Sequence, residues 1–98
     1  MKILFLMFAL AVSVLQLSAC SAPGGRVLYE ENCETCHSFK GKGGRTAPDL
    51  TAVTELRSED WIRRQIREPS KNDPRTRMPA FGQLSRGEIR AIIRHLGS

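Results

Sequence analysis

The sequence lacks several features that define common classes of small protein. Its three cysteines cannot all pair with one another, so a complete disulfide framework is excluded. Its longest apolar run, residues 3–15, is shorter than the roughly 20 residues that a membrane-spanning helix needs. After that run there are no internal repeats and no alternating strand pattern, which favours an all-α fold. The 98 residues allow one small domain, and a domain below about 80 residues usually needs a metal, disulfides or another covalent staple.

The N-terminal residues are typical of an export signal, with one charge at Lys2 ahead of the apolar run. Residues 17–20, Leu-Ser-Ala-Cys, resemble the lipobox of bacterial lipoproteins, in which the cysteine is acylated and becomes the first mature residue. We therefore predict a lipoprotein signal peptide over 1–19, a lipidated Cys20 with a short flexible tether over 20–25, and the folded domain over 26–98. The alternatives are an ordinary signal peptide cleaved nearby, for example after Ala22, and an uncleaved N-terminal anchor.

The predicted anchor has consequences for location. Two or more acyl chains hold a protein stably on a membrane, and a five-residue tether spans at most about 17 Å. The domain should therefore stay close to the periplasmic side of its membrane. Ser21 after the cysteine, in place of an acidic residue, resembles lipoproteins sorted to the outer membrane.

Two cysteines and a histidine form the motif on which the functional prediction depends. Cys33, Cys36 and His37 have the Cys-x-x-Cys-His spacing of covalent haem attachment. Thiols three positions apart on a helical turn lie on one side and can reach two vinyl groups of the same porphyrin. The next residue, His37, then supplies the proximal axial ligand. The motif predicts one covalently attached haem c, which is also the staple that a small domain needs.

Two other sites use similar residues. A thioredoxin-like redox pair also has Cys-x-x-Cys, but it belongs on a βαβ unit, of which we see no pattern. Zinc could take Cys33, Cys36, His37 and His95, yet a second pair of closely spaced ligands is missing. His95 falls in the last turn of a helix, where a histidine commonly complements the helix dipole, so we interpret it as structural.

Two further residues are candidates for contact with the haem or its ligands. The backbone carbonyl of Pro48 could accept the second ring N–H of His37 and so fix the tautomer of the ligand. Alternatively, Pro48 is only a turn residue. Trp61 could pack at the porphyrin edge and donate its indole N–H to a propionate, with plain core burial as the alternative.

A methionine is the candidate for the distal axial ligand. Met78 follows a polar, turn-rich crossing over residues 70–77 and precedes Pro79, with Phe81 close by. Its thioether is a soft ligand that suits haem iron, although methionine also fills gaps in cores. The other methionines lie in the predicted signal, so Met78 is the only thioether of the predicted mature chain.

Helix signals frame these motifs. A helix should begin near Gly25 and run into the haem motif, with Val27, Leu28 and Tyr29 facing inward. Ser58 is a plausible N-cap for a helix through Arg67. In the C-terminal helix, a capping box precedes an apolar stripe and an opposite arginine stripe. The capping box consists of Ser85 and Glu88. The apolar stripe consists of Ile89, Ile92, Ile93 and Leu96, and the arginine stripe of Arg86, Arg90 and Arg94.

Taken in order, these segments resemble a class I monohaem c-type cytochrome, small, of high potential and ligated by His and Met. The resemblance covers the predicted mature chain and is carried by Gly25, Leu28, Tyr29, the haem motif, Ala47-Pro48-Asp49-Leu50, Met78-Pro79-x-Phe81 and the last helix. It implies an all-α fold in which the N-terminal and C-terminal helices cross near Gly25 around one covalently bound haem held between His37 and Met78. The sequence departs from the family at His95, where an aromatic residue commonly packs at the crossing.

The resemblance implies a carrier of single electrons between redox partners in the bacterial periplasm or at the cell envelope, and not an enzyme in itself. All but one of the 15 Lys and Arg residues follow residue 19, as do all 10 acids, so the mature chain carries a net charge of about +4. This charge favours redox partners with acidic docking surfaces or an anionic membrane. We expect no nucleic acid partner, and a monomer unless the chain is part of a complex.

Two alternatives remain for the function. One is the electron-transfer haem subunit of a larger periplasmic oxidoreductase, such as a sulfur-oxidising or dehydrogenase complex. The other is a haem-based ligand sensor or peroxidase, which requires a displaceable Met78.

Overall fold

The computed structural model describes residues 24–98; the predicted signal peptide, Cys20 and most of the tether lie outside these residues. Helices alternate with loops and one short hairpin. In chain order the helices are α1 (Gly25–Asn32), α2 (Val53–Leu56), α3 (Glu59–Arg67), α4 (Pro69–Asn72) and α5 (Arg86–Leu96), and the strands are β1 (Ser38–Phe39) and β2 (Lys42–Gly43). The two strands pair antiparallel between α1 and α2. No helix among the described residues is long and apolar enough to cross a membrane.

The crossing of α1 and α5 forms the centre of the fold. Gly25 lies so close to α5 that a Cβ built on it would collide with the backbone carbonyl of Ala91. Only glycine permits this approach, because any side chain would push the helices apart. The N-terminal and C-terminal helices therefore cross at Gly25 as the family resemblance implies.

The apolar stripes of α1, α3 and α5 meet in one core. The core cluster of the described residues comprises Leu28, Tyr29, Cys33, Phe39, Ile62, Ile66, Leu84, Ile89, Ile92, Ile93 and Leu96. The predicted inner face of α5 is confirmed, since Ile89, Ile92, Ile93 and Leu96 are all buried. This arrangement is mostly helical and confirms the all-α prediction.

Both predicted helix starts are present. Ser58 caps α3 by accepting a hydrogen bond from the backbone N–H of Trp61 (3.1 Å). Ser85 and Glu88 form a full capping box at α5, each side chain bonding the other's backbone N–H at 3.1 and 2.8 Å. These bonds satisfy N–H groups that have no partner within the helix, and together with the acids in the first turn they fix where α3 and α5 begin.

The structure corrects three expectations about local structure. Val27 was expected to face inward, but 37% of it is exposed. Leu28 and Tyr29 are buried, and at 100° per residue three consecutive positions cannot all face one side of a helix. The chain also contains strands, which are too short, at two residues each, for an alternating pattern to reveal them. The crossing over residues 70–77 opens with a helical turn, α4, which Pro69 begins at its first position.

Candidate functional site

The two motif cysteines lie on the turn that ends α1. The backbone N–H of Cys33 donates to Tyr29 O (2.8 Å), and that of His37 donates to Cys33 O (3.0 Å). This turn keeps Cys33 and Cys36 in one helical repeat, and both are free thiols. Cys33 is buried, and burial raises the pKa of its thiol to about 11, whereas Cys36 is exposed. The pair therefore has one inner and one outer sulfur.

The glycine-rich loop after the motif forms a hairpin that covers this turn. Gly43 has a φ of 121°, a conformation that favours glycine, and a Cβ there would collide with the carbonyl of His37. A Cβ on Gly44 would collide with the carbonyl of Thr35. The backbone N–H of Gly44 donates to Glu34 O (2.9 Å). This glycine-rich segment thus holds the haem motif through close backbone contacts.

The ring of His37 is oriented by the segment that follows this hairpin. Its Nδ1 lies 2.7 Å from the carbonyl oxygen of Pro48. A carbonyl can only accept, so Nδ1 carries the proton and the other nitrogen, Nε2, keeps its lone pair. This is the contact that the sequence suggested for Pro48, and it is the arrangement that metal-binding histidines commonly adopt.

Hydrogen bonds around Asp49 hold the Pro48 segment in place. The carboxylate of Asp49 accepts from the Ser38 hydroxyl (2.7 Å) and from the Thr51 backbone N–H (2.8 Å). Hydrogen bonds from Thr51 and Ser38 lower the pKa of Asp49 below its usual value. The Leu50 N–H also donates to Ser38 O (2.8 Å). The position of the Pro48 carbonyl therefore depends on a charged, hydrogen-bonded carboxylate one residue later.

Met78 is half-buried and packs against the core cluster that includes Cys33. Its sulfur lies 3.5 Å from Nε2 of Gln65, which donates to it. The amide oxygen of Gln65 in turn accepts from Nδ2 of Asn72 (3.1 Å), and the same nitrogen donates to Trp61 O (3.0 Å). One chain of hydrogen bonds thus runs from α4 through α3 to the thioether.

Phe81 fixes the segment that follows Met78. Its backbone N–H donates to Ile66 O at the end of α3 (2.9 Å), and its half-buried ring packs against the core. Sequence reasoning missed the contact of Gln65 with the sulfur. No local pattern reveals a contact between residues 13 apart on different segments.

Trp61 is half-buried against the core, and the guanidinium of Arg57 lies over its ring, 4.4 Å from the centroid. Such a cation–π contact holds an arginine beside an aromatic edge. Tyr29 is buried, as expected, and its hydroxyl also donates to His37 O (3.3 Å). Burial is the main cause that raises the pKa of Tyr29 to about 12, so the hydroxyl keeps its proton.

His95 packs at the helix crossing. Its ring centroid lies 5.4 Å from that of Tyr29 and 5.2 Å from that of Phe39. It therefore occupies an aromatic position at the crossing beside Gly25. Among residues 24–98, no three His, Cys, Asp or Glu side chains are placed to hold a metal ion, which leaves the zinc interpretation without support.

The chain was compared with known proteins. The family model described as "Cytochrome C oxidase, cbb3-type, subunit III" matches residues 21–96. A "Cytochrome c550" of Pseudomonas aeruginosa is 29% identical over 76 residues, which cover 76% of this chain and 52% of the relative. The chain thus spans about half the length of this curated relative. Because the family match extends over most of the chain and the structure has the fold, the chain belongs to the cytochrome c family of that description, whose cofactor is covalently bound haem c.

Proposed function

We propose that the chain is a class I monohaem cytochrome that carries single electrons between redox partners at the bacterial cell envelope. The observation that carries this proposal is the bond between His37 Nδ1 and Pro48 O, which leaves Nε2 available for iron. The free thiols of Cys33 and Cys36 on the preceding turn would hold the haem through two thioether bonds. Addition of a thiol across a vinyl group would place sulfur on one carbon and hydrogen on the other, so it would need no oxidant.

The residues divide the work of the site. His37 and Met78 would hold the iron of the haem, and the thioether of Met78 would favour the reduced state and raise the potential. Haem, when bound, supplies the one-electron redox chemistry. Trp61 and the Arg57 above it would border the haem edge. The apolar core against which Met78 packs would limit the access of water to the thioether.

Exposed arginines adjoin the proposed ligands in sequence and are suited to steering a partner. Arg75 and Arg77 precede Met78, and Arg45 follows the haem motif. We propose that these haem-side cations attract redox partners with acidic docking surfaces, so the association rate falls as salt rises. We further propose export to the periplasmic side and acylation of Cys20, which would hold the domain on a membrane, with the outer membrane favoured.

Replacement of the cysteines tests the covalent site. Cys33→Ser and Cys36→Ser should each remove one thioether, and the double variant should lose its haem when the protein is extracted with acidic organic solvent. Cys20→Ser is the matched control, since it should keep covalent haem and lose the acyl label. Haem that resists extraction from the double variant would contradict the assignment, and an acyl label retained by Cys20→Ser would exclude lipidation there.

A second candidate is the electron-transfer subunit of a larger periplasmic oxidoreductase. It is favoured by the family description, which names a subunit of an oxidase. Purification in mild detergent separates the two, because a stoichiometric partner indicates a subunit and a monomer indicates a free carrier. A sensor or peroxidase requires Met78 to leave the iron, and reduced protein that does not bind carbon monoxide would argue against it.

A further inference from the structure

The outer face of α5 carries a basic stripe that the electron-transfer site does not use. Arg86, Arg90 and Arg94 are spaced four residues apart and all are exposed. Within residues 24–98, no carboxylate forms an ion pair with any of them. The ion pairs of that region involve other cations: Arg26, Lys42, Arg63 and Lys71. The stripe therefore presents three uncompensated charges along one helix.

This stripe faces away from the core that contacts Met78. A different face of α5 is buried in the core cluster, against which Met78 and Trp61 pack. The exposed stripe and Met78 thus lie on different faces of α5. An electron-transfer partner must reach the side that holds the haem ligands, so a partner docked on the stripe would be badly placed to exchange electrons.

A groove of about 650 Å³ connects the stripe with the place where the tether enters the domain. Gly24, Gly25 and Arg26 line it at the beginning of α1, and Ala91 and Arg94 line it on α5. The one acid in its lining, Glu88, is engaged in the capping box. None of Cys33, Cys36, His37 and Met78 lines the groove. The basic face and the tether therefore meet on the same side of the domain.

We propose that this face, defined by Arg26, Arg86, Arg90 and Arg94, rests on the anionic phospholipid headgroups of the membrane that holds Cys20. The inference depends on the proposed anchor. Five residues keep Gly25 within about 17 Å of the acylated cysteine. The three unpaired arginines of α5 are attracted to an anionic leaflet over roughly the Debye length of 8 Å, and Arg26, whose contact with the exposed Glu30 is 3.9 Å long, lies at the same groove. Contact on this side turns the haem ligands away from the membrane, toward soluble partners.

Arginine footprinting on the full-length holoprotein tests the proposal. The protein is reconstituted in vesicles of phosphatidylcholine alone or with about one third phosphatidylglycerol. It is then treated with phenylglyoxal, and the modification rate of each arginine is measured by mass spectrometry. The four face arginines should react roughly fivefold more slowly in the anionic vesicles, and the protection should disappear in high salt. Arg45, Arg75 and Arg77, three exposed arginines assigned to the haem side, should react at equal rates in both kinds of vesicle.

Variants give a matched comparison. Arg86→Gln, Arg90→Gln and Arg94→Gln together should abolish the protection of Arg26, whereas Arg45→Gln, Arg75→Gln and Arg77→Gln together remove the same charge and should preserve it. If the four face arginines react at equal rates in the two kinds of vesicle while the protein stays bound to both, the docking face is refuted but the anchor is not. Protection of the haem-side arginines instead would overturn the orientation. Loss of the protein from neutral vesicles would refute the anchor and this inference with it, while an intact haem spectrum would leave the electron-transfer function standing.

Discussion

The helix crossing and the ligand-bearing segments of this protein are built on different principles. At the crossing, α1 and α5 meet through buried apolar side chains and the close approach of Gly25 to Ala91. The segments that carry the proposed ligands instead depend largely on hydrogen bonds, such as those that reach His37 and Met78, and both of these side chains are only half-buried. The crossing is thus held mainly by apolar packing, whereas hydrogen bonds position the proposed ligands.

The largest expected effect comes from replacing Met78, the proposed distal ligand. Met78→Ala should lower the reduction potential by on the order of 100 mV, about 2.3 kcal/mol, because the thioether favours the reduced state. Redox titration of the purified holoprotein measures this shift. Met78→Leu keeps the apolar bulk without the sulfur and should give a similar decrease. A potential unchanged in the leucine variant would mean that sulfur is not a ligand.

A methyl group at Gly25 should destabilise the helix crossing. In Gly25→Ala the new Cβ meets the carbonyl of Ala91, so we expect a loss of about 1–3 kcal/mol in the free energy of unfolding. Gly87→Ala is the control, because a Cβ there meets nothing within 4 Å. Denaturant titration compares the two. Equal stability of the two variants would show that the helices do not depend on their close approach.

The hydrogen bond from Gln65 to Met78 should have a smaller effect. Gln65→Leu removes a donor from the sulfur, which leaves the thioether more electron-rich and stabilises the oxidised iron. A bond of about 0.5–1.5 kcal/mol corresponds to a decrease of roughly 20–60 mV in the potential. Asn72→Leu keeps the amide of Gln65 but removes the hydrogen bond that orients it, so the decrease in reduction potential should be smaller. A potential raised by Gln65→Leu would contradict this order.

The smallest expected effect is a loss of protein stability at acid pH, caused by protonation of Asp49 beside Pro48. The pKa of Asp49 is lowered in the folded state, so its contribution to stability is complete above about pH 4 and is lost as the pH falls through the folded pKa. Thermal midpoints between pH 3 and 6 should fall at the acid end. Asp49→Asn, which cannot ionise, should show a weaker decrease there. If the thermal midpoints of the unmodified protein and Asp49→Asn change in parallel with pH, Asp49 does not cause the acid dependence.

Periodic patterns in the sequence predicted the helices that form the crossing better than the segments around the proposed ligands. The isoleucines of α5 and the caps at Ser58 and Ser85 follow from short-range rules, so the helices and their buried faces were predictable. Val27 was misplaced because three adjacent apolar residues do not reveal which two face inward. The hairpin at Gly43 depends on backbone approach to the motif, which no side-chain pattern encodes.

The site shows the same limit. The candidate ligands were chosen by residue type and order, which are properties of the sequence itself. The Pro48 contact was one of two interpretations, and only the folded path of residues 47–50 brings its carbonyl to 2.7 Å from His37. The amide of Gln65 reaches Met78 because α3 and the later segment pack together. Such a contact depends on tertiary geometry, which a single sequence does not specify.

The burial of Cys33 implies an order of events during biosynthesis. A buried thiol with a pKa of about 11 is shielded both from enzymes and from small molecules. The hairpin at Gly43 and Gly44 also closes over the motif once the chain has folded. We therefore expect covalent attachment of haem to precede folding, while the chain is still open. The native fold would then protect the attached haem motif. A chain that folds before attachment would not acquire haem at Cys33.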